Sequence, residues 1–188
     1  MENPMRLSIS ALVLLVFAMV PAFGATTTAP TANYDIEVLV FAIQVPQYEG
    51  GELWTRAEQP IDTADAVFPR ELSPSADFNR IAQKLSADDH FRVLLRKHWR
   101  QVGDTKSNVP PVLLTSGNNE LNGTLRFYLS RFLHVELNLM YEPEPSLIGA
   151  ITAPDFTIHE QRRVRSNEMS YFDNPKFGAI VRVSPLKS

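Results

Sequence analysis

The sequence predicts an α+β fold, a single domain in which an antiparallel sheet of about five strands carries one main helix on a face. Three observations predict it. Apolar residues alternate along several short runs that are separated by proline- and glycine-marked turns. Only the stretch after Ser73-Pro74 repeats its apolar residues at helical spacing. No internal repeat or shift of composition divides the chain.

The amino terminus reads as an address rather than as part of the fold. Behind Arg6, Leu7 to Val20 is a largely apolar run. As a helix it would rise about 21 Å, short of the ~30 Å hydrocarbon core of a bilayer. Ala22 and Gly24 follow Pro21 at the spacing a signal peptidase prefers. Residues 1–25 therefore read as a cleavable export signal, 26–33 as a flexible leader, and 26–188 as one mature domain.

The elements then follow in order. Residues 34–43 alternate as a strand, with Ile36, Val38 and Val40 on one side and Asp35, Glu37, Leu39 and Phe41 on the other. Its polar beginning suggests an edge of the fold. The segment 44–72, which contains Trp54, is interrupted by Pro46, Pro60 and Pro69 and reads as a long connection. Ser73 is the expected N-cap of the helix, and Phe78, Ile81, Ala82 and Leu85 form its buried stripe, ending near Ser86. Residues 90–101 predict a strand with Phe91, Val93, Leu95 and Trp99 on an apolar face and Arg92, Arg96, His98 and Arg100 on a basic one. The segment 103–120 reads as a loop.

The strongest pattern is 121–141, where Leu121, Leu125, Phe127, Leu129, Leu133, Val135, Leu137, Leu139 and Tyr141 all occupy odd positions. Uninterrupted alternation predicts one long strand, bent or bulged at Ser130-Arg131, because no Gly, Pro or Asn marks a hairpin there. A further strand covers 156–165 with Phe156, Ile158 and Val164 on one side, the chain turns back over 166–176, and 177–183 closes the sheet with Phe177, Ala179, Val181 and Val183 inward.

Composition removes whole classes of chemistry. The 188 residues contain no cysteine, which excludes disulfides, thiolate metal sites and cysteine nucleophiles. A net charge of −3 argues against bulk nucleic-acid binding. His90, His98, His134 and His159 show no metal-ligand spacing, and no cofactor motif occurs. Charge is uneven along the chain. Residues 26–89 hold four basic against eleven acidic side chains, a net of −7, and residues 90–188 hold thirteen against nine, a net of +4. An acidic loop region facing a basic sheet is one outcome, and interleaving of the two halves is the other.

Catalytic patterns are missing as well. There is no Gly-x-Ser-x-Gly, no His-Glu-x-x-His and no glycine-rich phosphate loop. Ser184-Pro185-Leu186-Lys187 fits Ser-x-x-Lys only in letters, since that serine belongs at the start of a helix in a far larger domain. A non-enzymatic chain is the better reading. The cluster that stands out is Arg162, Arg163 and Arg165 leading into a turn with Glu168, Tyr171 and Asp173. Guanidinium forks bind carboxylates bidentately, and aromatic rings stack on sugars or on guanidinium groups.

These residues resemble the CsiV family of peptidoglycan-binding periplasmic proteins of Gram-negative bacteria. The resemblance runs through residues 34–41, Phe91 to Leu95, Trp99-Arg100-Gln101, Gly123, Arg131 to His134 and, most specifically, Arg162 through Pro175 to Phe177-Gly178. It implies a non-catalytic periplasmic factor without a cofactor or metal. Such a factor binds peptidoglycan and supports cell-wall synthesis together with the outer-membrane lipoprotein activator of a class A penicillin-binding protein. It adds Arg100 and Arg131 to the candidate binding residues. The family pattern has histidines where this chain has Ser170 and Asn174, so a role that needs imidazole does not carry over. Two other functions stay open on the residues alone. One is a protein adaptor that docks a partner on the basic strand 90–101 without touching the wall. The other is a small wall hydrolase.

Overall fold

The computed structural model describes residues 32–44, 61–143 and 156–186. Residues 1–25, expected to be an export signal, most of the expected leader 26–33 and Trp54 lie outside the described residues. The elements are β1 (Asn33–Ile43), α1 (Ala76–Ser86), β2 (Phe91–Val102), β3 (Val112–Leu113), β4 (Leu121–Leu129), β5 (Leu133–Tyr141), β6 (Phe156–Val164), β7 (Met169–Asn174) and β8 (Phe177–Pro185). They build two four-stranded antiparallel sheets, ordered β2-β1-β8-β7 and β3-β4-β5-β6, in place of the single five-stranded sheet expected. Among the described residues α1 is the one helix, and it is short, so the fold is mainly β. No described helix is long and apolar enough to cross a membrane.

The core lies between the sheets. Ile36, Val38 and Val40 of β1, Trp99 of β2, Phe172 of β7 and Phe177, Ala179, Val181 and Val183 of β8 meet Leu125, Phe127, Leu137, Leu139 and Ile158 of the second sheet. Alternation along each strand supplies one apolar face, and facing sheets remove it from water.

The predicted long strand 121–141 is a hairpin. β4 and β5 pair from Leu121↔Tyr141 to Leu129↔Leu133, with Ser130, Arg131 and Phe132 as the turn. In this register odd residues pair with odd and even with even, so the inward pattern passes through a three-residue turn unbroken. That is why the alternation read as one strand. Gly123 (φ +155°) is required in β4, because a Cβ there would lie 2.1 Å from the carbonyl oxygen of Asn138 on β5.

Three further corrections have local causes. β1 is central, not an edge, and its polar residues are paired: Arg100 donates to Asp35 at 2.9 Å and Arg182 to Glu37 at 2.5 Å. In β2, Leu94 is an extra residue opposite the Val40/Phe41 step. This bulge flips the side-chain parity. Phe91 and Val93 therefore pack with Leu39, Phe41 and the helix, while Leu95 and Trp99 face the main core. Arg92 leaves the basic face with them and donates to Glu120 (2.6 Å) and Tyr141 (3.3 Å). Thirdly, the segment 166–176 contains a strand, β7, rather than a turn alone.

The helix is capped by Ser75, not Ser73. Ser75 Oγ accepts from the N–H of Phe78 at 3.4 Å, and the N–H of Ser75 donates to Glu37 Oε1 at 2.7 Å. A strand carboxylate thus fixes where the helix begins. The stripe itself is as predicted, with Phe78 and Ala82 buried and Ile81 and Leu85 packed beside them on the outer face of the first sheet.

Candidate functional site

A cleft of about 380 Å³ opens where the β4–β5 turn meets the end of β6. Half-buried Tyr34, Leu129 and Leu133 and buried Val164 line it, with exposed Arg131, Phe132, Arg163, Arg165 and Ser166. Strand geometry accounts for the assembly. The register Leu133↔Val164 and His134↔Arg163 sets the start of β5 beside the end of β6. Side chains alternate along an extended chain, so Arg163 and Arg165 project on the side opposite buried Val164. Asn167, at φ 63°, then turns the chain towards β7, a conformation that asparagine tolerates better than most residues.

Two of the guanidinium groups, those of Arg131 and Arg163, are held by an aromatic ring rather than by acids. The Cζ of Arg163 lies 3.5 Å from the centroid of Phe132, and that of Arg131 lies 5.5 Å from it. Stacking of this kind orders the planar fork and leaves its edge free to donate. Among the described residues, neither Arg131 nor Arg163 has a carboxylate or hydrogen-bond partner. Arg165 is 77% exposed, with Glu168 at 3.7 Å.

Of the eight sequence-predicted binding residues, the cleft brings together Arg131, Arg163 and Arg165, with Glu168 beside them. The other four lie elsewhere. Arg162 is on the inward side of β6, where its Cζ covers the buried Phe172 ring at 3.9 Å and its guanidinium donates to the Tyr171 carbonyl. Glu160 balances it at 3.2 Å. An inward charge at a sandwich edge closes the gap between β6 and β7. Tyr171 is on the outer face of the first sheet, stacked on Phe41 with centroids 6.3 Å apart. Burial, and then the charge of Asp173, pushes its phenol above the ordinary tyrosine value. Asp173 is exposed on the same strand. Arg100 is paired with Asp35 on β1, and that hydrogen bond raises its pKa.

Sequence reasoning missed Phe132, Tyr34 and Ser166. Phe132 left a trace: it is an aromatic residue at an even position in a run whose other large apolar residues are nearly all odd. Asn174, which stands where the resemblance expects histidine, ties the β7–β8 turn to β6 by donating to the Thr157 carbonyl at 3.1 Å.

The basic strand predicted as a docking face is largely neutralised from within. Arg92 meets Glu120, Lys97 meets Glu71 at 3.1 Å, Arg96 donates to Asn79 and Arg100 meets Asp35. The two halves of the chain thus interleave, because Lys97 and Arg100 from the second half find Glu71 and Asp35 from the first. Residues 67–72 also bridge to β3 and β2 through Val67↔Val112 and Glu71↔Trp99, which covers part of that edge. No group of His, Asp and Glu among the described residues could hold a metal ion.

The model of a family described as peptidoglycan-binding protein, CsiV, matches residues 57–186. That span includes every cleft residue except Tyr34. No curated protein and no solved structure matches the chain.

Proposed function

The chain belongs to the CsiV family, and from that premise we propose that it is a non-catalytic periplasmic protein that binds peptidoglycan at the arginine cleft. The observation that carries this reading is a cleft lined by Arg131, Arg163 and Arg165, the first two against the Phe132 ring, with no lining carboxylate among the described residues. Fixed cations in a partly apolar recess suit the anionic, amphipathic material of the wall. The apolar run at residues 7–20 and the small residues after it support export by a cleavable signal. In the cell the protein supports wall synthesis by acting with the outer-membrane lipoprotein activator of a class A penicillin-binding protein, a partnership implied by the family resemblance.

The test is co-sedimentation of residues 26–188 with purified sacculi across a salt series, with the supernatant assayed for muropeptides. Binding that weakens as salt rises, without release of muropeptides, is the expected result. Absence of binding overturns the reading in favour of an adaptor, and released muropeptides overturn its non-catalytic part. Pull-down of the lipoprotein activator from a periplasmic and outer-membrane extract tests the partnership separately.

A further inference from the structure

We infer that the cleft recognises the free carboxylates of the wall's peptide stems and not its glycan strands, an inference that rests on the wall-binding reading above. The donor and acceptor inventory decides it. Arg131, Arg163 and Arg165 can only donate hydrogen bonds, and Ser166 and Tyr34 offer the other polar side-chain groups of the lining, both hydroxyls. Among the described residues no Asp, Glu, Asn or Gln side chain lines the cleft, and Glu168 stands beside it, 3.7 Å from Arg165. A glycan presents many hydroxyl donors, each of which needs an acceptor once it is desolvated. A carboxylate presents acceptors alone and matches a guanidinium fork in two parallel hydrogen bonds.

The aromatic ring points the same way. Sugar recognition by stacking needs an open ring face, yet the Arg163 guanidinium already lies 3.5 Å from the Phe132 centroid. That contact instead holds the fork in place for an oxyanion. The remaining wall, Leu129, Leu133 and Val164, is aliphatic and suits the methyl groups of alanine. A volume of about 380 Å³ falls in the range of small-ligand sites, so the cleft takes the end of a peptide rather than a long strand.

Competition against sacculus binding tests this, using the exported protein and four competitors. They are a stem tetrapeptide as the free acid, the same peptide with its carboxyls converted to carboxamides, an N-acetylglucosamine trimer and inorganic phosphate. The free acid should release the protein from sacculi, the carboxamide should be roughly tenfold weaker, and the trimer should not compete. In the Arg163→Ala and Arg165→Ala variants the difference between acid and carboxamide should shrink or vanish, while the circular dichroism spectrum is unchanged. Equal competition by acid and carboxamide overturns the inference, as does release by the trimer alone. Phosphate competing at the concentration of the peptide overturns it too, because the cleft is then a general oxyanion site. A protein that never sediments overturns the wall-binding reading itself, which separates the two failures.

Discussion

Arg182 and Arg163 carry the same guanidinium into opposite surroundings. Arg182, on β8, sits beneath the start of α1 and donates to Glu37 (2.5 Å), Ser75 Oγ (2.7 Å) and Asp77 (3.1 Å). Glu37 is only 5% exposed. Burial alone would lower the pKa of Arg182, but its hydrogen bonds to Glu37 and Asp77 outweigh this and hold it above the ordinary arginine value. Arg163, at the other site, has a ring beneath it and, among the described residues, no anion beside it. The difference teaches that partners assign an arginine its work. The first region has answered its charge internally and is architecture. The second has no anion beside Arg163 among the described residues, which leaves the guanidinium edge free for the binding proposed above.

Arg182→Ala is the most severe way to break that comparison. It strands a buried carboxylate and detaches the helix N-terminus, so stability should fall by about 3 kcal/mol in urea unfolding. Sacculus binding per folded molecule should stay the same. If binding fell as far as stability, the two regions would be one.

The Arg131→Ala, Arg163→Ala, Arg165→Ala triple variant should do the reverse. Its affinity for sacculi should drop by about thirtyfold, equivalent to ~2 kcal/mol. Its unfolding free energy should move by under ~1 kcal/mol, because all three side chains are exposed. Unchanged sedimentation of this variant would remove the cleft from the function.

Arg162 sharpens the contrast, since it neighbours Arg163 in sequence yet faces inward. Arg162→Ala should cost about 1 kcal/mol by loss of the bond to the Tyr171 carbonyl and of the cover over Phe172. Binding measured on the folded fraction should match that of the parent protein.

The smallest effect concerns Tyr171, on β7 outside the cleft. Its folded pKa is raised, so the stabilisation from the neutral ring against Phe41 is complete below about pH 10 and is lost as pH rises through the folded value. A pH series of unfolding curves should show this decline in the parent protein and a flatter limb in Tyr171→Phe. Sacculus binding at neutral pH should not distinguish the two proteins.

The candidate site was half legible in the sequence. Arg163 and Arg165 stood out because three arginines in four positions are conspicuous, and Arg131 entered through the family resemblance. Alternation already separated Arg162 from Arg163, because Phe156, Ile158 and Val164 put the even positions of that strand inward, yet grouping the arginines by sequence proximity passed over it. Tyr34 belongs to the cleft only because β1 runs beside residues far away in the chain.

What the sequence determined by itself was the parity of most strands, β2 beyond its bulge excepted, and the stripe of the helix. The odd positions of 121–141, Phe177 to Val183 and Phe78 with Ala82 face apolar surroundings as their spacing dictates. Side-chain period is a property of the local backbone, so it survives any arrangement of the strands. What only the tertiary structure decided was the number of sheets, the hairpin at Ser130 to Phe132, the bulge at Leu94 and the place of the helix cap. Each depends on which distant strand supplies hydrogen bonds or a counter-charge, and a three-residue turn that preserves parity leaves no mark in the pattern from which it could be read.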